Sequence, residues 1–472
     1  MVQNWKLRIL TALLGAVAAC ALVSESAQAV PSFARQTGFS CAACHTIYPE
    51  LTPLGRRFKL GGYVLTATPS QGTPEEEYVL NRTPPISAML QISATQTQRS
   101  TPDSNAAPES AQNNTIEFPQ QFSLFYAGRI TPNTGAFIQV TYSGAADHLS
   151  MDNSDVRIVD QGSLGDAQFV YGLTLNNNPG IQDLWNSTPA FGFPYASSDS
   201  APTPSAATQL DGSLAQQVAG LGAYAAWLRG SSYLYAEFSV YRASQVGATQ
   251  PLDSTAPVPV VRDNAPYVRL AYETNWTPMS LEIGAIGMNV TSLPTNVPSG
   301  LCSDGTSAPC TAGVTSVNKS LKQTSPNRYY DSGLDFQWEY YPSDEHIWTV
   351  KGIWLHEDQS LGSDSGAAHA ANSLDTTRLT GSYYHNRKEG VIAQWFSTTG
   401  SKDTGIYSAN RTNVPDSSGY VLEAVYNPYL NIRYSLQYVM YDKFNGASTN
   451  YDSNGHNASD NNTIYLLAWL MW

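Results

Sequence analysis

Residues 334–340 read LDFQWEY, with a large apolar side chain at every second position and a polar or acidic one between. Successive side chains of a β-strand point to opposite faces, so a period of two predicts a strand with one apolar and one polar face. The same alternation recurs in residues 86–95, 136–142, 234–240 and 432–438. The chain is therefore predicted to be mainly β.

About sixteen such segments follow one another, and each has nearly the length of a tilted strand that crosses a membrane. They are predicted to begin near residues 86, 117, 135, 155, 167, 215, 232, 266, 279, 329, 346, 376, 390, 419, 430 and 463. An even number of strands can close into an antiparallel transmembrane β-barrel with a polar interior.

The predicted connections alternate between short and long. The short ones lie at residues 131–133, 229–231, 342–345 and 427–429. The long ones lie near residues 99–114, 144–154, 177–214, 243–265, 291–327, 359–373, 400–417 and 443–461. This alternation is typical of an outer-membrane barrel with short periplasmic turns and long outer loops. A soluble β-sandwich is the alternative, but it gives no reason for the two classes of loop.

Composition agrees with exported β-structure. Only 13% of residues are charged, and 28 Tyr and 10 Trp suit strands. The net charge of −13 argues against nucleic acid as a partner. Residues 1–29 are predicted to be a signal peptide, with Lys6 and Arg8 before an apolar stretch and a small-residue cleavage site at 27–29. Residues 17–20 also resemble a lipoprotein box, which would make Cys20 a lipidation site instead.

Two further cysteines, Cys302 and Cys310, enclose a polar segment of a predicted outer loop. In an oxidising compartment such a pair is expected to form a disulfide, and two free thiols are the alternative.

The sequence Cys41-Ala42-Ala43-Cys44-His45 is an attachment signal for c-type haem. Cys41 and Cys44 are predicted to form thioethers to one covalent haem c, and His45 to bind its iron. A thioredoxin-like redox pair is the alternative, but that motif should open a helix in a βαβ unit, and none is predicted here.

The predicted haem segment, residues 30–80, is too small to enclose a haem alone. We therefore expect it to plug the barrel, residues 81–472, at the periplasmic side or in the lumen. Its four basic residues either neutralise haem propionates, face an acidic partner, or are simply solvated; they are Arg35, Arg56, Arg57 and Lys59.

The sixth ligand of the haem iron is open at this stage. The haem segment holds no methionine and no histidine besides His45. Met89 is the nearest candidate because the alternation places it on the inward face of the first strand, though it could merely pack on the plug. His356 and His385 stay possible, whereas His148 and His369 are predicted to lie in outer loops.

Residues 33–45 (FARQTGFSCAACH) and 49–56 (PELTPLGR) closely resemble the outer-membrane monohaem cytochrome–porin fusions of iron-oxidising bacteria, and residues 176–179 and 183–189 look like their barrel. The resemblance implies an Fe(II):cytochrome c oxidoreductase that oxidises extracellular Fe(II) and passes electrons to periplasmic cytochromes. Within this motif only Cys41, Cys44 and His45 carry over as site residues.

Other functions stay compatible with the sequence. The same conduit could export electrons or exchange them with another redox partner, and a solute porin could carry its haem as a structural plug. Acidic residues of the predicted outer loops, including Asp147, Asp152 and Asp155, could attract Fe²⁺ or be merely solvated.

Overall fold

The computed structural model describes residues 30–64, 84–99, 115–243, 260–293 and 325–472. The predicted signal peptide, Cys20 and the Cys302–Cys310 pair lie outside the described residues.

The described strands form one closed antiparallel barrel. The sheet has 17 strands, one of which has only two residues, so sixteen long strands make the wall. The first strand pairs with both the second and the last, and this closes the sheet. The strands are β1 (Ile86–Thr97), β2 (Thr115–Thr131), β3 (Thr134–Ser143), β4 (His148–Leu164), β5 (Ala167–Asn176), β6 (Val218–Arg229), β7 (Ser232–Ala243), β8 (Val260–Val261), β9 (Ala265–Trp276), β10 (Met279–Leu293), β11 (Asn327–Tyr340), β12 (His346–Ser360), β13 (Ala371–His385), β14 (Glu389–Gly400), β15 (Ser417–Tyr429), β16 (Ile432–Lys443) and β17 (Thr463–Met471).

The two faces of the wall differ as the alternation predicts. On β11, Asp335, Gln337 and Glu339 are buried inside the barrel, whereas Leu334 between them is 59% exposed on the outside. Large apolar side chains are exposed in the same way on many other strands. A wide apolar outer surface around a polar interior is the reverse of a soluble sandwich and fits a lipid environment. The prediction of a transmembrane barrel is confirmed.

Two predicted strand starts are wrong by five residues or more. β13 begins at Ala371 rather than near residue 376. β4 begins at His148 rather than near residue 155, so residues 144–147 form a four-residue connection and the predicted long loop 144–154 does not exist. Residues 152–155 are polar at four successive positions, and the register of β4 with β3 shifts between Ile138 and Val140. Both effects hide the period of two on which the prediction depended.

Three helices precede the barrel: α1 (Pro31–Thr37), α2 (Cys41–Cys44) and α3 (Pro53–Leu60). A proline stands in the first turn of both α1 and α3, where its missing N–H costs nothing. Gly38 ends α1 with φ of 72°, a conformation that glycine adopts without strain. Among the described residues, no helix is long and apolar enough to span a membrane.

These helices, hereafter the plug (residues 30–64), sit in one mouth of the barrel. Arg387 in the 386–388 turn donates to the carbonyl of His45 at 3.0 Å, and Arg433 at the start of β16 donates to that of Tyr48 at 2.6 Å. Arg35 donates to the carbonyl of Ile86, where β1 begins. All three contacts lie at the end of the barrel where the short turns lie, hereafter the short-turn end. The plug therefore lies at the short-turn end.

The connection between β5 and β6, residues 177–217, folds into the lumen and is hereafter the lumen loop. Ile181, Gln182, Asp183 and Leu184 are completely buried there. The prediction of an outer loop at 177–214 is therefore wrong. Its side chains bind the inner wall instead: Asp183, for example, forms an ion pair with Arg269 of β9 at 3.0 Å.

Candidate functional site

A cavity of about 400 Å³ lies between the plug, the lumen loop and the barrel wall. The plug contributes Cys41, Cys44, His45 and Lys59, among others. Most of the remaining lining is apolar or aromatic and comes from all three parts, including Phe33, Phe58, Phe125, Phe137, Phe191, Tyr195 and Trp469. The cavity thus brings the three functional residues of the Cys-x-x-Cys-His motif to one mainly apolar space.

Helix α2 presents the two thiols. Cys41 and Cys44 are three positions apart, so they project from one face of the single helical turn. No disulfide joins them, and Cys41 is 4% exposed. Burial raises the pKa of the Cys44 thiol to about 11, with the nearby Cys41 as a second cause. Reactive redox thiols have a lowered pKa instead.

His45 is held in one orientation. Its Nδ1 lies 3.2 Å from the carbonyl oxygen of Glu50. A proton on Nδ1 donates to that carbonyl and leaves the Nε2 lone pair available to a metal. Burial lowers the pKa of His45 to about 4, although backbone hydrogen bonds at Glu50 and Pro49 oppose the shift. The imidazole is therefore neutral at neutral pH, which is the form that binds iron.

Helix α3 packs closely against the motif. The Thr52 hydroxyl donates to the carbonyl of Ala43 at 2.6 Å and accepts from the amide of Gly55 at 3.2 Å. A Cβ added at Gly55 would lie 2.2 Å from the carbonyl oxygen of Cys44. Only glycine fits here, so residues 52–55 fix the position of α2.

Met89 faces the plug from the barrel wall. It is 3% exposed, points inward from β1 with Ser87 and Gln91, and lines the same cavity as His45. The predicted inward placement is confirmed. The adjacent strand places Met471 opposite Met89, also buried, but Met471 is not among the residues that line the cavity.

The other histidines lie elsewhere. His356 stacks on Trp354 and meets Asp375 at 3.0 Å, and neither His356 nor His385 is among the residues that line the cavity. His148 begins β4 rather than lying in a long loop, and His369 is 61% exposed beside Asp403.

The four basic residues of the plug have different environments. Arg56 is fully buried and bridges Glu273 at 2.9 Å and Glu339 at 2.8 Å, so it is neither solvated nor directed at the cavity. Arg35 and Arg57 are exposed. Lys59 alone of the four lines the cavity.

The acidic residues predicted to attract Fe²⁺ are not an outer cluster. Asp155 is fully buried, pairs with Arg157 at 2.7 Å and accepts from Tyr63 at 2.7 Å, so its predicted loop position is wrong. Asp152 accepts from Thr141 at 2.7 Å and lines the cavity. Within the described ranges, no group of three or more His, Cys, Asp or Glu side chains could hold a metal ion.

The structure also shows polar contacts that join the plug, the lumen loop and the barrel wall, and the sequence did not reveal them. Arg157 of β4 donates to the carbonyl of Lys59 in the plug and to that of Gln182 in the lumen loop, each at 2.9 Å. The Trp185 indole donates to Glu273, the same carboxylate that holds Arg56. The sequence shows Asp183 and Trp185 inside a long polar loop, which could have indicated buried contacts. It does not show their partners, which lie far away along the chain.

The lumen loop crosses the whole lumen. It meets β11 where the Leu210 amide donates to Asp331 at 2.8 Å, and β14 where Gln394 donates to the carbonyl of Phe193 at 2.9 Å. It meets β2 where Gln120 donates to the carbonyl of Ser197 at 2.8 Å. The loop and the plug therefore form two layers with the cavity between them.

A closed barrel of sixteen long strands with an apolar wall and an inward loop defines a porin-like outer-membrane barrel. A comparison with solved structures finds outer-membrane proteins to which the chain is similar. It is similar to an OmpT loop L8 deletion mutant of Vibrio cholerae (11% identity, 82% of this chain and 98% of that one, TM-score 0.42). It is also similar to the outer membrane channel DcaP of Acinetobacter baumannii (10% identity, 82% and 96%, TM-score 0.41) and to a mutant of the Rh. blastica porin (11% identity, 82% and 99%, TM-score 0.35).

Similarity at this level carries no conclusion about function. No protein-family model matches the chain. No curated protein matches it either.

Proposed function

We propose that this protein is an outer-membrane electron-transfer protein with a single haem c, which takes electrons from extracellular Fe(II) and passes them to a periplasmic c-type cytochrome. In enzymatic terms it is an Fe(II):cytochrome c oxidoreductase. The observation that carries the proposal is the cavity between the plug and the lumen loop, which Cys41, Cys44 and His45 line together.

The residues present fit haem c. Cys41 and Cys44 would hold it through thioethers, and His45 would bind its iron through Nε2 while Nδ1 donates to Glu50. Met89 would be the second residue to bind the iron, because its thioether faces the same cavity from the wall. When bound, haem c supplies a one-electron carrier. The aromatic side chains of the lining would cover part of its surface.

Access differs between the two ends of the barrel. At the short-turn end, Phe39 lines the cavity and is 41% exposed. Gly38 and Ser40 beside it are exposed as well. This exposed edge is where a periplasmic electron carrier would meet the plug. Towards the other end the lumen loop lies between the cavity and the long loops.

The visible spectrum tests the proposal. The intact protein in oxidised outer membranes is expected to show c-haem absorption, and adding Fe(II) is expected to convert it to the reduced form. Absence of c-haem bands would contradict the cofactor assignment. Reduction by dithionite but not by Fe(II) would contradict the assignment of Fe(II) as the electron donor. The protein would then exchange electrons with another redox partner or export them.

A second candidate is a solute porin whose haem segment is a structural plug. The barrel architecture itself favours it, because sixteen strands enclose a lumen wide enough for an aqueous channel. The two layers of plug and lumen loop oppose it. Conductance in a planar bilayer separates the candidates, since a porin passes steady current and a sealed conduit does not.

A further inference from the structure

Lys59 is the one basic side chain of the plug that reaches the cavity. It lies in α3 and is 6% exposed. Its ammonium donates to the carbonyl of Asp183 at 2.5 Å and to the Asn186 side chain at 3.3 Å. It also stands 5.0 Å from the centre of the Phe191 ring. These partners hold the ammonium at the boundary between the plug and the lumen loop.

The charge of Lys59 is less compensated than those of its neighbours. Arg56, Arg157 and Arg269 each form ion pairs with buried carboxylates within 3.2 Å. The hydrogen-bond acceptors of Lys59 are a peptide carbonyl and an amide oxygen instead. Asp152 is the other charged side chain among the described cavity residues besides the motif, and it is already bound to Thr141. A buried cation with neutral acceptors exerts a strong field on whatever occupies the space beside it.

We propose that Lys59 sets the reduction potential of the redox group in this cavity, an inference that rests on the proposed function. A one-electron reduction removes a positive charge from the group, so a nearby buried cation stabilises the reduced form and raises the potential. Lys59 thus acts on the redox group through its charge and would not itself bind the iron.

The same charge is expected to respond to pH. Burial, with the neighbouring Arg157, lowers the pKa of Lys59 to about 7. The carboxylates that face it oppose this shift: Asp183 from the lumen loop, Asp155 from β4 and Glu237 from β7. The ammonium is present below this pKa and is lost above it. The reduction potential is therefore expected to be higher at low pH and to fall as the pH rises through about 7.

Spectroelectrochemical titration of the whole protein in detergent micelles, at a series of pH values on both sides of neutrality, tests this inference. The wild type is expected to lose potential as the pH rises. Lys59→Met is expected to have a lower potential without this pH response. Lys59→Arg is expected to keep a high potential at all these pH values, because a guanidinium does not titrate here.

Arg57→Met is the matched control, because Arg57 lies on the same helix but is exposed. It is expected to follow the wild type. A Lys59→Met variant with the wild-type potential and pH response overturns the inference. Should that variant fail to fold, a wild-type potential that does not change with pH overturns it equally. Absence of haem from the wild type would instead contradict the proposed function, so the two failures are distinguishable.

Discussion

Gly55 has no Cβ, and this allows α3 to pack directly against the Cys41–His45 motif. A methyl group at this position would meet the backbone carbonyl of Cys44 at 2.2 Å, and backbone cannot move aside as a flexible side chain can. Gly55→Ala is therefore expected to push α3 away from α2 and to displace His45, which is expected to change the visible spectrum of the haem. Leu54→Ala, at an exposed neighbour, is the control. An unchanged visible spectrum in Gly55→Ala would contradict the expectation.

Met89 is tested by exchanging its sulfur without changing its volume. Met89→Leu fills the same space at a cost of less than about 1.5 kcal/mol. If the thioether binds iron, the oxidised spectrum is expected to lose its sulfur-to-iron charge-transfer band and the potential is expected to change. Met471→Leu removes the opposite buried thioether and is expected to leave both unchanged. Identical spectra for wild type and Met89→Leu would exclude Met89 as a ligand.

At the scale of the element, the plug is anchored to the wall by Arg56. Arg56→Ala leaves Glu273 and Glu339 buried without their cation, and breaking such a pair costs about 3–5 kcal/mol. Thermal unfolding is expected to begin at a lower temperature. Arg57→Ala, one residue on and exposed, is expected to change stability by less than about 0.5 kcal/mol. Equal melting of the two variants would show that the ion pairs do not anchor the plug.

Elements that obey a local rule were predictable, and those that depend on distant partners were not. The strands are alternately apolar and polar, so their number and most of their starts followed from the sequence. The first half of β4 did not, because residues 152–155 are polar at four successive positions. The lumen loop did not, because Asp183 finds Arg269 only once the barrel has closed. In the cavity, the motif and the inward Met89 followed from spacing, whereas the position of Lys59 depended on the loop above it.

For the whole molecule, closure of the lumen is the property that most distinguishes an electron-transfer protein from a solute porin. The intact protein is expected to pass little current in a planar bilayer. Deleting residues 181–188 removes the part of the lumen loop that is bound to β9 and β11 through Arg269 and Asp335, and is expected to raise the conductance. Heat-dependent gel migration checks that the shortened variant still forms a barrel. Unchanged low current in a folded deletion variant would mean that the plug alone closes the lumen.

The enclosure of Cys41 also sets an order of events during biogenesis. Cys41 is 4% exposed and packs with Ala34 of α1, Tyr48 and Leu430, so an enzyme that joins a macrocycle to its thiol could not reach it in the finished protein. Under the proposed function, loading has to be completed while the exported polypeptide is still unfolded in transit. The assembly machinery of the outer membrane would then receive a polypeptide that already carries its haem, and the barrel would fold around that haem.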